Sequence, residues 1–321
     1  MTLPKLHVAV LMGGWSSERP VSLMSGEGVA KALESRGHRV TRIDMGATAA
    51  EGRELPAKLL AAAPDVVFNA LHGVPGEDGS VQGLMDLLGL TYTHSGMVAS
   101  VIAIDKQLTK QQLVPHGIPM PGGMIVKSAS LFERDPLPRP YVVKPVNEGS
   151  SVGVAIVTTG GTHSDPIGRD TPGPWQDFDE LLAEPFIKGR ELTVAVLGGN
   201  DGDRALCVTE LKPKTEFYDF AAKYTDGMTD HICPADVPDD VAAHMMAVAV
   251  KSHQLLGCAG ASRSDFRWDD ELGVDGVFLL EVNTQPGMTP LSLFPEQGRH
   301  LGMDYPDVVE AIIAQALEAK A

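Results

Sequence analysis

The sequence predicts an α/β chain, with an open parallel sheet at its N-terminus followed by strand-rich α+β segments. Three observations carry this. Two apolar runs, Leu6 to Met12 and Asp65 to Leu71, each end in a glycine-containing loop, as strands buried on both faces do. Helical spacing fills the ground between them, over about Pro20 to Arg36 and Leu55 to Ala63, with a β-rich piece at His38 to Ile43. Beyond residue 140 short strand patterns alternate with Pro- and Gly-rich passages, and further helical patterns cover Asp239 to Leu256 and Tyr305 to Leu317.

Taken in order, Leu6 to Met12 stops at Gly13-Gly14 and, with the helix and strand after it, reads as a βαβ unit. Asp65 to Leu71 leads into a loop containing His72 and Gly73-Val74-Pro75-Gly76-Glu77-Asp78-Gly79. Loops at the carboxyl edge of such a sheet are the usual place for ligands. The glycines do not fall in the G-x-G-x-x-G spacing, and no Walker A sequence occurs, so neither a dinucleotide fingerprint nor a P-loop is expected. A new unit starts near Asp105-Lys106, passes through Pro115 to Pro121 and Pro136 to Pro140, and reaches the strand Tyr141-Val142-Val143-Lys144-Pro145. Gly149-Ser150-Ser151-Val152-Gly153 separates it from Val154 to Val157, two short strands around a flexible flap. Residues 160 to 176 have the composition of a disordered surface insertion. Strand patterning resumes near Leu192, with a loop from Pro213 to Thr229. The expected divisions are residues 1–104, 105–190 and 191–321.

The densest chemistry lies in two stretches, Arg263-Ser264-Asp265 and Glu281-Val282-Asn283. Alternate residues of a strand share a face, so Arg263 pairs with Asp265 and Glu281 with Asn283. Trp268 to Gly276 has the polar, glycine-containing character of a hairpin connection, which would set the two strands side by side. That gathers two carboxylates and a carboxamide. Oxygen donors without Cys or His suit a hard cation such as Mg2+, which takes its other ligands from water and phosphate. Val277-Phe278-Leu279-Leu280 precedes the polar pair, placing it at the end of a buried element. A nucleotide site follows as the first expectation.

Composition narrows the partners. The formal net charge is -16, from 26 basic and 42 acidic residues, with no Lys/Arg run to track a phosphate backbone, so nucleic acid is not expected. The first residues show no signal-peptide pattern, no stretch is long enough to span a bilayer, and a cytoplasmic protein without membrane contact is expected. Cys207, Cys233 and Cys258 are far apart and odd in number, indicating packing residues rather than disulfides or a zinc site.

An ordered set of motifs resembles the bacterial D-alanine D-alanine ligases. It runs through Gly13-Gly14 to Glu18, Leu71-His72-Gly73 with Gly76-Glu77-Asp78-Gly79, Tyr92-Thr93, Ser95-Gly96, Asp105-Lys106, Val143-Lys144-Pro145 and Glu148-Gly149-Ser150-Ser151-Val152-Gly153. It continues with Phe217-Tyr218-Asp219, Ala222-Lys223-Tyr224, Arg263-Ser264-Asp265, Glu281-Val282-Asn283-Thr284, Pro286-Gly287-Met288-Thr289 and Ser292-Leu293-Phe294-Pro295, across roughly residues 8 to 295. The resemblance implies an N-terminal α/β domain followed by a two-lobed ATP-grasp fold. It implies ATP-dependent joining of two D-alanines through an acyl phosphate, for peptidoglycan, by a cytoplasmic homodimer using two Mg2+ ions, with Mn2+ able to substitute.

Roles follow the same resemblance. Lys106, Lys144 and the loop residue Lys223 would reach the phosphates of ATP, and Glu148, Ser150 and Ser151 would close over them. Asp265, Glu281 and Asn283 would hold the metal. Glu18 would hold the first D-alanine and be tied to Ser150 and Tyr224, with His72 stabilising charge nearby. Arg263, Ser292 and Leu293 would take the carboxylate of the second D-alanine, and the Gly287 N–H would stabilise the oxyanion; an Arg two residues from an Asp also fits a plain ion pair. At the adenine linker the family often shows Glu-Lys-Trp-Leu, whereas this chain has Glu184-Pro185-Phe186-Ile187. Pro185 lacks an N–H but keeps its carbonyl, and Ile187 can donate its own N–H, so base recognition survives. Glu191 would bind the ribose. Rival readings are a D-alanine D-lactate or D-serine ligase, against which Lys223-Tyr224 argues, and a nucleotide-binding homologue without catalysis.

Overall fold

The structure, a computed structural model, describes residues 3–149, 152–158, 173–199, 202–214 and 229–318. Ser150, Ser151, Lys223, Tyr224 and most of the expected 160–176 insertion lie outside the described residues.

β1 (His7–Met12) pairs in parallel with β2 (Arg39–Asp44) and β3 (Val66–Asn69), in the order β2-β1-β3. α1 (Arg19–Ser35) connects the first two strands. Period-two alternation divides β1 between two cores: Val8, Val10 and Met12 pack with residues of α1, while Ala9 and Leu11 pack with Leu55 and Leu59 of α3 (Leu55–Ala62), which follows the single-turn α2 (Ala49–Gly52). Burial on both faces is why the strand is apolar from Val8 to Met12. The turn after β1 needs its glycine, because a Cβ on Gly13 (φ 88°) would fall 2.2 Å from an Asp44 carboxylate oxygen.

α4 (Ser80–Leu87), α5 (Met97–Ile104) and α6 (Lys106–Leu113) lead out of this sheet. They belong to the stretch between the His72 loop and the Pro-rich passage, where no helical pattern stood out. β4 (Met124–Lys127), β5 (Tyr141–Pro145), β6 (Ala155–Val157) and β7 (Glu180–Pro185) form an antiparallel sheet in the order β4-β7-β5-β6, packed on Leu131 and Trp175. The strands flanking the Gly/Ser flap thus pair as expected, Tyr141 with Val157.

β8 (Arg190–Leu197), β9 (Arg204–Pro213), β10 (Thr229–Ile232), β11 (Ala261–Trp268) and β12 (Val277–Asn283) make a third sheet, ordered β10-β9-β8-β11-β12. α7 (Asp239–Leu255) covers it with Val241, Met245, Val248 and Ala249. Leu113, Ile118 and Met120 join this same core. α8 (Leu293–His300) and α9 (Tyr305–Glu318) close the described chain. The α9 stripe Val308, Val309, Ile312, Ile313 and Ala316 packs into the core shared by α1 and the first sheet, so cores cross the divisions expected at 104/105 and 190/191.

Cys207 and Cys233, distant in sequence, bring their sulfurs to 3.4 Å because β10 returns along β9; both are free thiols. Among the described residues no helix is long and apolar enough to cross a membrane.

His94 gives a pH prediction. It is buried at φ 70° against the edge of Phe68, with Nδ1 2.9 Å from the Thr93 hydroxyl, and burial, helped by nearby His72, pushes its pKa down to about 3. The unfolded chain then binds a proton that the folded one does not as pH falls through the ordinary histidine value of 6.5. Stability from keeping His94 neutral is complete above that pH and declines towards pH 3, by about 2 kcal/mol between pH 7 and 5. Tm measured across this range should fall less for His94→Asn, which tolerates the left-handed backbone; identical slopes would refute the assignment.

Candidate active site

One cleft, of about 820 Å³, lies between the three sheets, and every expected site residue among the described residues lines it. Glu18, His72, Lys106, Lys144, Glu148, Glu184, Pro185, Ile187, Glu191, Arg263, Asp265, Glu281, Asn283, Gly287, Ser292 and Leu293 converge there from all three expected divisions.

The two oxygen-donor strands are neighbours. β11 and β12 are antiparallel, with Arg263 opposite Asn283 and Asp265 opposite Glu281. The register then shifts, because Phe266 faces Leu279, which leaves Leu280 as an extra residue. This bulge resets the alternation, so that Glu281 and Asn283 line the cleft while Leu279 and Val282 stay buried. The donor set fits Mg2+: two carboxylates and a carboxamide face each other across the strands, all of them hard oxygen donors. Asn283 Oδ1 is held by the Gln285 N–H at 2.8 Å, which presents an oriented oxygen.

The Arg263 guanidinium is folded onto Asp265, with Nε and Nη2 each 2.8 Å from a carboxylate oxygen, and Thr193 donates to the same carboxylate at 2.7 Å. That is the plain ion pair which the spacing allowed, formed because residues two apart on a strand share a face. A cation or a substrate carboxylate arriving here would have to draw the pair apart.

Positive charge stands opposite. Lys106 donates to the Glu148 carbonyl at 2.7 Å and lies 3.5 Å from Glu281. Its burial, reinforced by Lys144, holds its pKa below the ordinary lysine value against the pull of Glu281. Lys144 on β5 is 2.6 Å from Glu184 on β7, whose carboxylate also meets Lys110. Glu184 therefore positions cations; its carboxylate is committed to two lysines. Burial lowers the Lys110 pKa, opposed by Glu184.

At the N-terminal wall Glu18 immediately precedes α1 and is buried. Its Oε2 lies 3.1 Å from where a Cβ would stand on Gly73 and 3.5 Å from the corresponding point on Gly149, so it touches both the His72 loop and the flap. His72 shares a hydrogen bond with Ser25 at 3.1 Å and lies 3.5 Å from Glu77. Burial raises the Glu77 pKa, and Glu18 adds to the rise while His72 opposes it. Burial likewise raises that of Glu148, with Lys106 opposing.

The loop after β12 is stapled to the N-terminal sheet. Gln285 donates to the Asn69 carbonyl at 2.8 Å, and the Ser25 hydroxyl accepts from the Met288 N–H at 3.3 Å. Gly287 sits against Ser292, since a Cβ there would approach its Oγ to 3.0 Å. Ser292 opens α8 and receives the Thr289 N–H at 3.0 Å. A helix start with its free N–H groups suits an anion.

Glu77, Gln285 and Arg267 also line the cleft, and sequence reasoning missed them. Arg267 could have been found, because it continues the alternation Arg263, Asp265 by one step. Gln285 carried no signal, since its partner Asn69 is 216 residues away.

Residues 127–314 match the family model described as the D-ala D-ala ligase C-terminus, and residues 46–95 match the corresponding N-terminus. A D-alanine–D-alanine ligase of Novosphingobium aromaticivorans is 73% identical over 318 residues, covering 99% of this chain and 98% of the relative. One from Zymomonas mobilis is 63% identical, covering 98% and 94%. The crystal structure of a D-alanine–D-alanine ligase from Bacillus anthracis complexed with ATP superposes with TM-score 0.79 at 27% identity, covering 98% of each chain. With a family model spanning more than half of the sequence and relatives this similar along its whole length, the chain belongs to the D-alanine–D-alanine ligase family.

Proposed function

We propose that the protein joins two D-alanines to D-alanyl-D-alanine at the expense of ATP, releasing ADP and phosphate, for peptidoglycan precursor synthesis in the cytoplasm. The observation that carries this is the convergence, in one cleft, of Asp265, Glu281 and Asn283 with Lys106, Lys144, Glu18 and Arg263. Phosphorylating a carboxylate brings an anion against a polyanion, so cationic groups must already stand around the phosphates. Lys106 and Lys144 provide that charge, held by Glu148, Glu281 and Glu184. Asp265, Glu281 and Asn283 would hold two Mg2+ ions, or Mn2+, which when bound neutralise phosphate charge.

Glu18 is placed to take the ammonium of the first D-alanine, whose carboxylate accepts the γ-phosphoryl group to give an acyl phosphate. His72 lies beside it for charge stabilisation. The second D-alanine presents its carboxylate to Arg263, released from Asp265, and to Ser292 with the Leu293 N–H at the start of α8. Its amine attacks the acyl carbon, the Gly287 N–H donates to the developing oxyanion, and phosphate leaves. Ser150, Ser151 and Lys223 are proposed to enclose the phosphates. Pro185, Ile187 and Glu191 form the base and ribose end. A homodimer is supported by exposed Leu87, Met97, Val98 and Val101 on the neighbouring helices α4 and α5.

Phosphate release with ATP and Mg2+ should depend on D-alanine and be absent with L-alanine. Equal release with both, or none with either, would overturn the proposal. Tyr224 with Lys223 favours an amine over a hydroxyl acceptor. Tyr224→Phe should raise the share of D-alanyl-D-lactate when D-alanine and D-lactate compete; an unchanged product ratio would remove Tyr224 from acceptor choice.

A further inference from the structure

Arg267 lies outside the residues that the motif pattern assigns, yet it stands at the base end of the cleft with three separate attachments. Its Nε donates to the Ile187 carbonyl at 3.1 Å, its Cζ lies 5.3 Å from the centroid of the Phe186 ring, and its Nη1 is 3.6 Å from Glu191 Oε2. Arg267 and Glu191 are cross-strand partners on β11 and β8, so sheet pairing holds them together. Phe186 and Ile187 belong to the segment that leaves β7 after Pro185, where the pairing with β5 ends and no strand partner follows among the described residues. The Phe186 N–H donates to the Pro140 carbonyl at 3.1 Å, leaving the Ile187 end to be fixed by Arg267.

We infer that Arg267 is a positioning residue for the nucleotide base, holding the Pro185–Ile187 segment and Glu191 in the arrangement that a purine carrying an exocyclic amine requires. This rests on the reading of the cleft as the ATP site. A guanidinium does this where an ammonium would not: it is planar, so it can lie against the Phe186 ring while its edge donates to a carbonyl on one side and forms an ion pair with a carboxylate on the other. One side chain thereby couples the base-contacting backbone to the ribose carboxylate. Its side chain is only 18% exposed, which limits the water that would loosen those contacts. Arg267 is on the same face of β11 as Arg263 and Asp265 but stands beside Ile187 and Glu191 rather than beside Glu281 and Asn283, so its influence is expected on nucleotide binding rather than on the chemical steps.

The test is Arg267→Met, which keeps the length of the stem and removes the fork, with Arg267→Lys as the conservative variant. KM for ATP should rise about 10- to 30-fold in Arg267→Met, with kcat and KM for D-alanine within about threefold of wild type. Discrimination between ATP and GTP should fall with it. Arg267→Lys should recover little of the loss, because charge without the planar fork cannot hold both partners. Phe186→Leu, which leaves the Arg267 donors in place, should show the same split to a smaller degree and keeps the inference testable if Arg267→Met fails to fold. A fall in kcat with unchanged KM for ATP, or full rescue by lysine, would overturn the inference. Calorimetric titration with ATP separates the two levels: a wild-type protein that does not bind ATP overturns the site reading, whereas equal binding by wild type and Arg267→Met overturns this inference alone.

Discussion

Glu281→Ala is expected to lower turnover by roughly 10²- to 10³-fold or more, while leaving the fold intact. Glu281 faces Asp265 across the strand pair and lies 3.5 Å from Lys106, so its removal takes away a proposed metal ligand and disturbs a phosphate-facing lysine together. Its side chain is 28% exposed and belongs to none of the hydrophobic cores, which is why stability should be spared. Lys106 retains its bond to the Glu148 carbonyl. Phosphate release should collapse, with an unchanged circular dichroism spectrum and Tm within a few degrees of wild type. The Mg2+ concentration for half-maximal residual activity should also rise. Turnover at the wild-type level would remove Glu281 from the metal set, and with it the reading of the β11–β12 pair as the catalytic end of the cleft.

Glu184→Gln should have the largest effect on stability. The Glu184 carboxylate is 3% exposed and is the shared partner of Lys110 and Lys144, themselves about one-tenth exposed. Neutralising it leaves two buried ammonium groups facing one another. Breaking a buried pair from one side costs about 3–5 kcal/mol, a large part of the 5–15 kcal/mol that holds a typical domain. The urea midpoint should fall accordingly. Asp179→Asn, which breaks the exposed ion pair with Lys127, should leave it unchanged. Lys144→Met should destabilise less than Glu184→Gln, since Glu184 keeps Lys110, but should impair phosphate release more than it impairs folding. Equal urea midpoints for wild type and Glu184→Gln would show that the triad is solvated in solution.

The elements most legible in the sequence were those whose pattern has one physical reading. β1 from Val8 to Met12 and β3 from Val66 to Phe68 are unbroken apolar runs because both faces are buried, and α1 and α7 carry helical periodicity over 17 residues each. α4 and α5 escaped notice because they are short and interrupted by small residues, and because Leu87, Val98 and Val101 are apolar on the exposed side, which blurs the amphipathic signal. The cysteines illustrate the limit of counting: a separation of 26 residues says nothing about contact until β10 is known to return along β9.

Local chemistry was determined by the sequence alone: which residues could carry charge or donate oxygen, that Arg263 and Asp265 share one face, and that a polar end follows the apolar start of β12. Such properties depend on neighbours one to four residues apart, and the chain itself supplies them. The tertiary structure decided the rest. The bulge at Leu280 turned Glu281 out of the core, because strand phase depends on pairing with β11. Long-range packing decided that Glu184 serves two lysines, that Gln285 fastens the lobe to Asn69, and that Arg267 spans Ile187 and Glu191. Each of these contacts joins groups far apart along the chain, whose separation in space is set only when three sheets close around one cleft.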